Sequence, residues 1–366
     1  MKPVEIITDP YEIYFPNLGW RFHINPTAFT IGNISVQWYG IIIAIGLIAA
    51  ILYCMPKMKK FGLDPDRVID VVIGGVIGGM IGARTYYVAM KWDEYKGDIK
   101  AILNFRNGGL AIYGGLIGAI LIGLIICHFR KVRKLPMLDI ASIGFLIGQG
   151  IGRWGNYVNQ EAFGTNTDNL FAMTGGTIQQ VIRNEAYFTD GDMYLNGLAD
   201  MSMEYAVHPC FLYESVWCLL GVAVLTLIAK HRKFDGQVFL SYLIWYGSER
   251  FVVEGLRTDS LMFGSLRISQ ALSAVLVLTA VILMVVMMSR VRRDPERYVL
   301  YCNTEESAML IEETRLKAEK AGSKKAENGN KSEESEDNKT DDSEKNNTDE
   351  SNEKTVQEEN ENGTDN

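Results

Sequence analysis

Several short catalytic motifs are absent from this sequence of 366 residues. It contains no His-Glu-x-x-His zinc motif, no Gly-x-Ser-x-Gly nucleophile elbow, no Walker phosphate loop and no pair of aspartates in its apolar stretches. The five cysteines are odd in number and lack Cys-x-x-Cys spacing, which argues against a disulfide framework or a metal or redox site. Zinc hydrolysis, serine hydrolysis and nucleotide use therefore lack their usual groups, and no metal or organic cofactor is implied.

An apolar run near the start is also missing, because Asp9, Glu12, Pro16 and Arg21 interrupt it, so no cleavable signal peptide is expected. Apolar residues gather instead in seven later stretches, each close to the roughly 20 residues that cross a hydrocarbon core. The stretches cover residues 36–55, 68–90, 110–129, 137–154, 209–229, 237–255 and 268–289. These stretches predict an all-α polytopic membrane protein with about seven transmembrane helices, forming a domain over residues 36–290 after an N-terminal arm of residues 1–35.

Basic residues follow alternate stretches, and Lys and Arg near helix ends are retained on the cytoplasmic side. The clusters are Lys57, Lys59, Lys60 and Arg67; Arg130, Lys131, Arg133 and Lys134; Lys230, Arg232 and Lys233; and Arg290, Arg292 and Arg293. The pattern predicts an external N-terminus, a cytoplasmic C-terminus and a long external loop over about residues 158–207, which could form a small cap. The loop between the second and third stretches is less informative, because its lysines are diluted by acidic residues.

The C-terminal segment, residues 291–366, changes composition along its length. From about residue 305 it loses aromatic and β-branched residues, and residues 304–366 hold 20 acidic and 9 basic side chains. This mixture buries too little apolar surface to offset the entropy of ordering, which predicts a disordered cytoplasmic tail. The tail carries a charge of −11 and the rest of the chain +3, so the overall −8 says nothing about the ligands of the membrane domain.

Glycines recur at helical spacing in three of the stretches. They are Gly74, Gly78 and Gly82; Gly114, Gly115 and Gly118; and Gly144, Gly148 and Gly152. Small residues spaced in this way let two helix backbones approach closely within a membrane. Helix packing is therefore the favoured interpretation, ahead of a loop that cradles phosphate.

Ionisable side chains at membrane depth are costly, so each is a functional hypothesis. Residues 152–164 combine Arg153, Asn156 and Glu161 with glycines, among them Gly164, at the predicted outer end of the fourth stretch. A planar guanidinium suits phosphate oxygens, so this cluster predicts a site for a polar headgroup. Snorkelling to the interface would explain one arginine but not this density of polar groups.

A second polar cluster lies in the sixth stretch. Tyr246, Arg250, Glu254 and Arg257 are spaced four, four and three residues apart, so they form one stripe on a helix. This stripe is either part of the same site or a structural ladder of ion pairs.

Smaller polar features occur at Trp38 and Tyr39, at Arg84, at Tyr113, and in residues 208–214, which begin with His208-Pro209. For each of these, an interfacial anchor or a helix start is the favoured interpretation.

Taken together, these motifs resemble those of the bacterial phosphatidylglycerol:prolipoprotein diacylglyceryl transferases. Residues 152–164 resemble the family signature, and the agreement extends to Trp38-Tyr39-Gly40 and to residues 108–115, 208–214 and 246–257. The resemblance implies an enzyme of the bacterial plasma membrane that moves the diacylglyceryl group of phosphatidylglycerol to the lipobox cysteine of a prolipoprotein signal peptide. The products are a thioether and glycerol phosphate, and nucleic acid is not a partner.

The resemblance also assigns site residues within the domain of residues 36–290. The expected catalytic residues are Arg153, Arg250, Tyr113 and Glu161, and the expected phosphatidylglycerol-binding residues are Arg153, Asn156, Tyr39, Gly164, Tyr246, Arg250, Glu254 and Arg257. Fixed guanidiniums suit this reaction, because the phosphate ester that leaves must be neutralised in a medium of low dielectric constant.

Tyr113 departs from the family pattern, since several members carry a histidine there that has been considered as the base for the attacking thiol. A tyrosine with an ordinary pKa near 10 is a poor base at neutral pH. Either nearby arginines favour its phenolate form, or it only orients the substrate and another group takes the proton. We favour the second alternative, with Glu161 or Glu254 as the acceptor.

Two other classes of protein remain open at this point. A transporter or flippase of an anionic lipid would also use arginines at membrane depth, although the sequence shows no clear internal repeat. A receptor or assembly factor would have less use for so many charged groups facing the outer leaflet.

Overall fold

The computed structural model describes residues 1–104, 108–185, 201–258, 262–263, 266–317 and 319–320, and it comprises a large unit, residues 1–308, and a second unit, residues 309–366. Each of the seven predicted stretches corresponds to one long helix. The helices are α1 (Trp38–Cys54, continued by a 3-10 helix, Met55–Phe61), α2 (Pro65–Met90), α3 (Trp92–Tyr95), α4 (Ile99–Leu103), α5 (Ile112–Phe129), α6 (Lys134–Asn159), α7 (Gly176–Glu185), α8 (Cys210–Lys230), α9 (Gln237–Leu256) and α10 (Ile268–Arg293).

Six of these helices are long and apolar enough to cross a membrane: α1 with its 3-10 extension, α2, α5, α6, α8 and α10. Helix α9 has 20 residues, enough to span, but it carries Glu249, Arg250 and Glu254. The predicted class, a polytopic all-α membrane protein, is confirmed. The seventh predicted span differs from the others because its ionisable residues belong to the site described below.

Helices α2 and α5 pack on one another through their glycines. A Cβ atom added at Gly82 would lie 2.3 Å from the carbonyl oxygen of Gly114, and one at Gly118 would lie 2.2 Å from that of Gly78. The predicted close helix contact is therefore correct for this pair. Helices α1 and α6 also meet at glycines, because a Cβ added at Gly46 of α1 would lie 3.3 Å from the carbonyl oxygen of Gly148. A Cβ added at Gly148 itself would have no atom within 4 Å, since that side of the residue lines a cavity.

The remaining long helices pack around α6, which contacts α1, α8 and α9, while α10 packs on α9. Ile140, Ile143 and Leu146 of α6 are fully buried against Cys218 and Leu225 of α8. All five cysteines are free thiols, and four of them are buried. Helix α6 is consequently the best-enclosed helix of the bundle and the rigid element on which the site is built.

The N-terminal arm and the long loop fold together rather than separately. Strand β1 (Glu12–Phe15) pairs antiparallel with β2 (Trp20–His23) on one side and with β5 (Thr174–Gly175) on the other. The side chain of Gln160, which ends α6 with a left-handed backbone, donates to the carbonyl oxygen of Pro10 at 2.7 Å. A small cap thus holds the end of α6 in place.

The other strands are short and exposed or peripheral. Strands β3 (Thr27–Ile31) and β4 (Ile34–Gln37) form a hairpin that leads into α1, and β6 (Met262–Phe263) pairs with β7 (Leu266–Arg267) just before α10.

The predicted start of disorder at about residue 305 is wrong for residues 305–317, which are helical. Ser307 is 1% exposed and its hydroxyl donates to the carbonyl oxygen of Gly62 at 2.9 Å, while Glu306 forms an ion pair with Arg133. A short anchored segment was missed because its composition already resembles that of the tail. The predicted disorder beyond residue 320 lies outside the described residues.

Candidate active site

An apolar cavity of about 440 Å³ lies along α1 and α6. Tyr39, Arg153 and Asn156 line one end of it, and Cys54, Met58 and Val68 line the other. The wall between these ends is almost entirely aliphatic or glycine, including Gly148. This cavity has the shape and polarity of a site for a molecule with a polar head and an apolar tail.

Arg153 is fixed at the polar end of the cavity by a carboxylate from α8. Its Nε lies 3.1 Å from Oε2 of Glu214, whose side chain is 2% exposed, whereas the side chain of Arg153 is 18% exposed. Within the part of the chain that the structure describes, no residue accepts a hydrogen bond from the two terminal nitrogens of Arg153. One edge of the guanidinium is therefore held and the other is available to an anion.

Arg250 of α9 shares the same carboxylate. Its Nη1 lies 3.4 Å from Oε1 of Glu214, and its Nη2 lies 2.6 Å from Oε2 of Glu254, one helical turn away. Glu254 is 1% exposed, and Arg267 donates to its backbone carbonyl oxygen. The ladder interpretation of the α9 stripe is thus correct for Arg250 and Glu254, and the two predicted arginines converge on one carboxylate.

Glu214 was not among the predicted site residues, although it ends the His208–Glu214 run. The sequence contained a feature that could have identified Glu214: it is an ionisable residue one turn inside an apolar helix, where a charged side chain needs a partner. Glu249, 5% exposed, was missed in the same way; its Oε2 accepts from the thiol of Cys218 at 3.8 Å and its Oε1 has no hydrogen-bond partner among the described residues.

The glycines of residues 152–164 leave room for neighbouring side chains to pack closely. A Cβ added at Gly155 would lie 2.6 Å from Cδ2 of Tyr39, so only glycine lets this ring pack against α6. Next along the helix, Asn156 lines the cavity and donates through Nδ2 to Oε1 of Glu161 at 2.9 Å. Tyr39, Asn156 and Glu161 are therefore brought together beside Arg153.

Gly164 and Arg257 lie where the loop after α6 meets the ends of α8 and α9. The two residues form an antiparallel bridge, and the N–H of Gly164 donates to the carbonyl oxygen of His208 at 3.0 Å. A Cβ at Gly164 would lie 2.8 Å from that of His208. Partial burial lowers the pKa of His208, which favours the neutral ring in its contact with Asn169.

Tyr246 packs toward α6 through Tyr242, with parallel rings 5.7 Å apart, and Gln149 donates to the hydroxyl of Tyr242 at 3.0 Å. Tyr113 is different: its side chain is 52% exposed at the start of α5, and it does not line the cavity. Arg84 has a structural role, because it donates to the carbonyl oxygens of residues 101, 102, 108 and 109. Tyr113 is the one predicted catalytic residue that the structure leaves apart from the others.

No group of three or more His, Cys, Asp or Glu side chains suited to a metal ion occurs among the described residues. The fold and the site together define a polytopic membrane protein that presents a held arginine to an anionic group at the end of an apolar cavity.

Comparison with known proteins narrows this class to one family. A model of the prolipoprotein diacylglyceryl transferases matches residues 26–286. The chain is 39% identical over 276 residues to the phosphatidylglycerol–prolipoprotein diacylglyceryl transferase of Listeria innocua, covering 75% of this chain and 94% of the relative. The proteins of that name from Limosilactobacillus reuteri and Staphylococcus haemolyticus are 39% and 38% identical, with 94% and 92% of each relative covered and 74% and 75% of this chain. The chain belongs to the prolipoprotein diacylglyceryl transferase family.

Proposed function

We propose that the protein transfers the diacylglyceryl group of phosphatidylglycerol to the thiol of the lipobox cysteine in a prolipoprotein. A carbon–sulfur bond forms at the glycerol carbon that carries the phosphate, the bond from that carbon to the phosphate oxygen breaks, and glycerol phosphate leaves. The cysteine thiol gives up its proton. The observation that carries the proposal is the free edge of Arg153 at the polar end of an apolar cavity.

The lipid would lie with its phosphate against Arg153 and one acyl chain along α1 and α6. The aliphatic wall of the cavity suits the chain, and Tyr39 and Asn156 can hydrogen-bond oxygens near the ester. Helix α6 advances about 1.5 Å per residue, so the cavity from Met137 to Asn156 is on the order of 28 Å long, similar to a bilayer core. This length supports a membrane lipid as the ligand rather than a small soluble anion.

Arginines then supply most of the acceleration in this mechanism. Negative charge grows on the phosphate as the carbon–oxygen bond breaks, and a guanidinium already held in place needs little reorganisation to stabilise it. Glu214 fixes the orientation of Arg153 and Arg250 together. Because it keeps both cations close to one point, the leaving phosphate meets a preorganised positive site.

The proton acceptor for the thiol is better sought at Glu161 than at Glu254. Glu254 is buried and its Oε2 is engaged by Arg250, whereas Glu161 is exposed beside Asn156 at the mouth of the cavity. Tyr113 would orient the peptide or the headgroup rather than take the proton.

The central experiment incubates purified protein with phosphatidylglycerol, labelled in its headgroup, and a lipobox peptide. Arg153→Ala and Arg250→Ala should lower thioether formation and label release by 100-fold or more, in the range of losing one preorganised donor. Arg183→Ala, which truncates an exposed arginine on α7, is the matched control and should stay within twofold of wild type. Near-normal transfer by Arg153→Ala would contradict the proposal that Arg153 binds the phosphate. Lipid translocation without thioether formation would favour a flippase instead.

We infer that the Arg153 end of the bundle faces the outside of the cell. The loops rich in Lys and Arg are joined at the opposite end: Arg232 donates to the carbonyl oxygen of Lys60 at 2.7 Å, and Arg67 donates to that of Arg130 at 3.2 Å. Positive residues are retained on the cytoplasmic side. A cysteine introduced at exposed Phe29 should react with an impermeant maleimide added to intact cells, and protection until lysis would reverse the orientation.

A further inference from the structure

A basic pocket lies at the other end of α6 from Arg153. Its volume is about 710 Å³, and it is lined by the loop from α5 to α6 together with residues between α8 and α9 and after α10. Four basic side chains, His128, Lys131, Arg133 and Lys134, contribute to the wall. From Lys134 to Arg153 is 19 residues of α6, or roughly 28 Å at 1.5 Å per residue, so the two sites lie about one bilayer core apart.

The acidic residues of the pocket do not neutralise its lysines. Glu306 pairs with Arg133, and Asp235 accepts from the backbone N–H of Tyr301 at 2.8 Å and lies 3.9 Å from Arg232. In the described ranges of the chain, neither Lys131 nor Lys134 forms an ion pair. Two positive charges are therefore available to an anion.

Two further features of the pocket favour an anion. Helix α6 begins there without a side-chain cap, so its positive dipole end and the N–H groups of Lys134 and Leu135 lie at the pocket; the next residue, Pro136, has no N–H. Tyr301 is only 6% exposed and lines the pocket beside the guanidinium of Arg133, and its hydroxyl has no hydrogen-bond partner of standard geometry among the described residues. A buried hydroxyl without a partner is costly, and an oxygen ligand would satisfy it.

An apolar groove of about 580 Å³ adjoins this pocket along α5. It is lined by Ile117, Ile120, Leu121, Leu124, Ile125 and Phe129, and it ends at His128 and Lys134, which also line the basic pocket. The groove runs at membrane depth on a helix that is long and apolar enough to span. A ligand that fills both spaces has an apolar chain and a negatively charged head.

We propose that these two spaces bind one anionic phospholipid of the leaflet opposite the active site. Its phosphate lies among Lys131, Lys134, the start of α6 and the hydroxyl of Tyr301, and one acyl chain lies in the groove on α5. Glu306, which pairs with Arg133 in the wall of the same pocket, places a negative charge near the phosphate and weakens its binding. The site is separate from the transferase site and does not depend on the proposed activity.

The test uses full-length protein in phosphatidylcholine nanodiscs with a trace of phosphatidylglycerol whose acyl chain carries a diazirine. Photolabelled peptides of α5 report this site, whereas those of α1 and α6 report the active-site cavity. Unlabelled phosphatidylglycerol is titrated as competitor to obtain an affinity. Lys131→Gln/Lys134→Gln removes the free charges, and Lys59→Gln/Lys60→Gln is the matched control, with two exposed lysines at the same end and outside the pocket.

We expect the affinity at α5 to fall roughly 30-fold in Lys131→Gln/Lys134→Gln, since each basic residue near the membrane contributes about five- to sixfold. It should fall a few-fold in Tyr301→Phe and stay within twofold in the control pair. Glu306→Gln should raise it, a gain that misfolding cannot produce. Equal losses in both double variants, no loss in either, or equal labelling by a phosphatidylcholine probe would overturn the proposal. Displacement by inorganic phosphate at the same concentration would also overturn it, because the site would then take a free anion.

Discussion

The sharpest test of the site geometry is Gly155→Ala, which adds one methyl group beneath the ring of Tyr39. The new Cβ would lie 2.6 Å from Cδ2 and 3.0 Å from Cε2 of that ring. Carbon atoms in contact are about 3.5–4.0 Å apart, so the ring has to move by roughly 1 Å or α6 has to shift away from α1. The perturbation is confined to the wall of the cavity that Arg153 also lines.

A misplacement of about 1 Å in a site residue can lower the rate by about 100-fold, which is our expectation for kcat/KM of thioether formation. The effect on stability is much smaller. Overpacking costs about 1–3 kcal/mol, while replacing glycine by alanine inside a helix returns up to about 1 kcal/mol. The free energy of unfolding should therefore fall by about 3 kcal/mol at most, with the protein still folded in the membrane.

Purified variants are compared by kcat/KM with phosphatidylglycerol and a lipobox peptide, and by thermal unfolding in the same detergent. Gly123→Ala is the matched control, since it is the same substitution inside α5 and has no atom within 4 Å of the new Cβ. It should keep normal activity and unfold at the same or a slightly higher temperature. If Gly155→Ala transfers within threefold of wild type, Tyr39 does not act from the position described here.

Three other predictions follow from the same contacts. Tyr113→Phe should lower transfer less than tenfold, because this half-exposed residue does not line the cavity, and a loss above 100-fold would make it the base. Glu214→Gln should lower kcat on the order of 100-fold or more, because Glu214 bridges the two arginines. Glu204→Gln, at an exposed site, is the control and should leave kcat unchanged. Truncation after residue 320 should leave transfer unchanged, whereas truncation after residue 304 should lower the unfolding temperature by removing the buried Ser307, whose hydrogen bond contributes about 1 kcal/mol.

The helices were predictable because membrane spanning imposes a simple constraint of length and apolarity. The predicted end of the third stretch, residue 129, coincides with the end of α5, and the predicted start of the fifth is one residue from that of α8. The arginines of the site were equally predictable, because a guanidinium within an apolar stretch is costly and therefore indicates a functional or structural role. Both predictions rest on local sequence alone.

The partners of those arginines were not predictable in the same way. Glu214 lies 61 residues from Arg153 along the chain, and only the packing of α6 against α8 brings them within 3.1 Å. The same limit applies to Tyr113, whose motif suggested a place in the site although α5 packs mainly on α2. The prediction of disorder near residue 305 was wrong for a different reason: the buried hydrogen bond of Ser307 and the surface ion pair of Glu306 order a segment whose composition is typical of disorder.

Helix α9 can be polar because it is buried among other helices that supply partners for its charges. Three ionisable residues near its end would make insertion of this helix costly in isolation, yet Glu249 and Glu254 are at least 95% buried between α8, α10 and α6. The cost falls because Arg250 meets Glu254 on its own helix and Glu214 on the next, leaving its charge paired on both sides. A bundle assembled in this way can keep Arg153 only partly neutralised, because Glu214 is shared. The terminal nitrogens of Arg153, which have no acceptor among the described residues, are therefore open to a phosphate at the end of the apolar cavity.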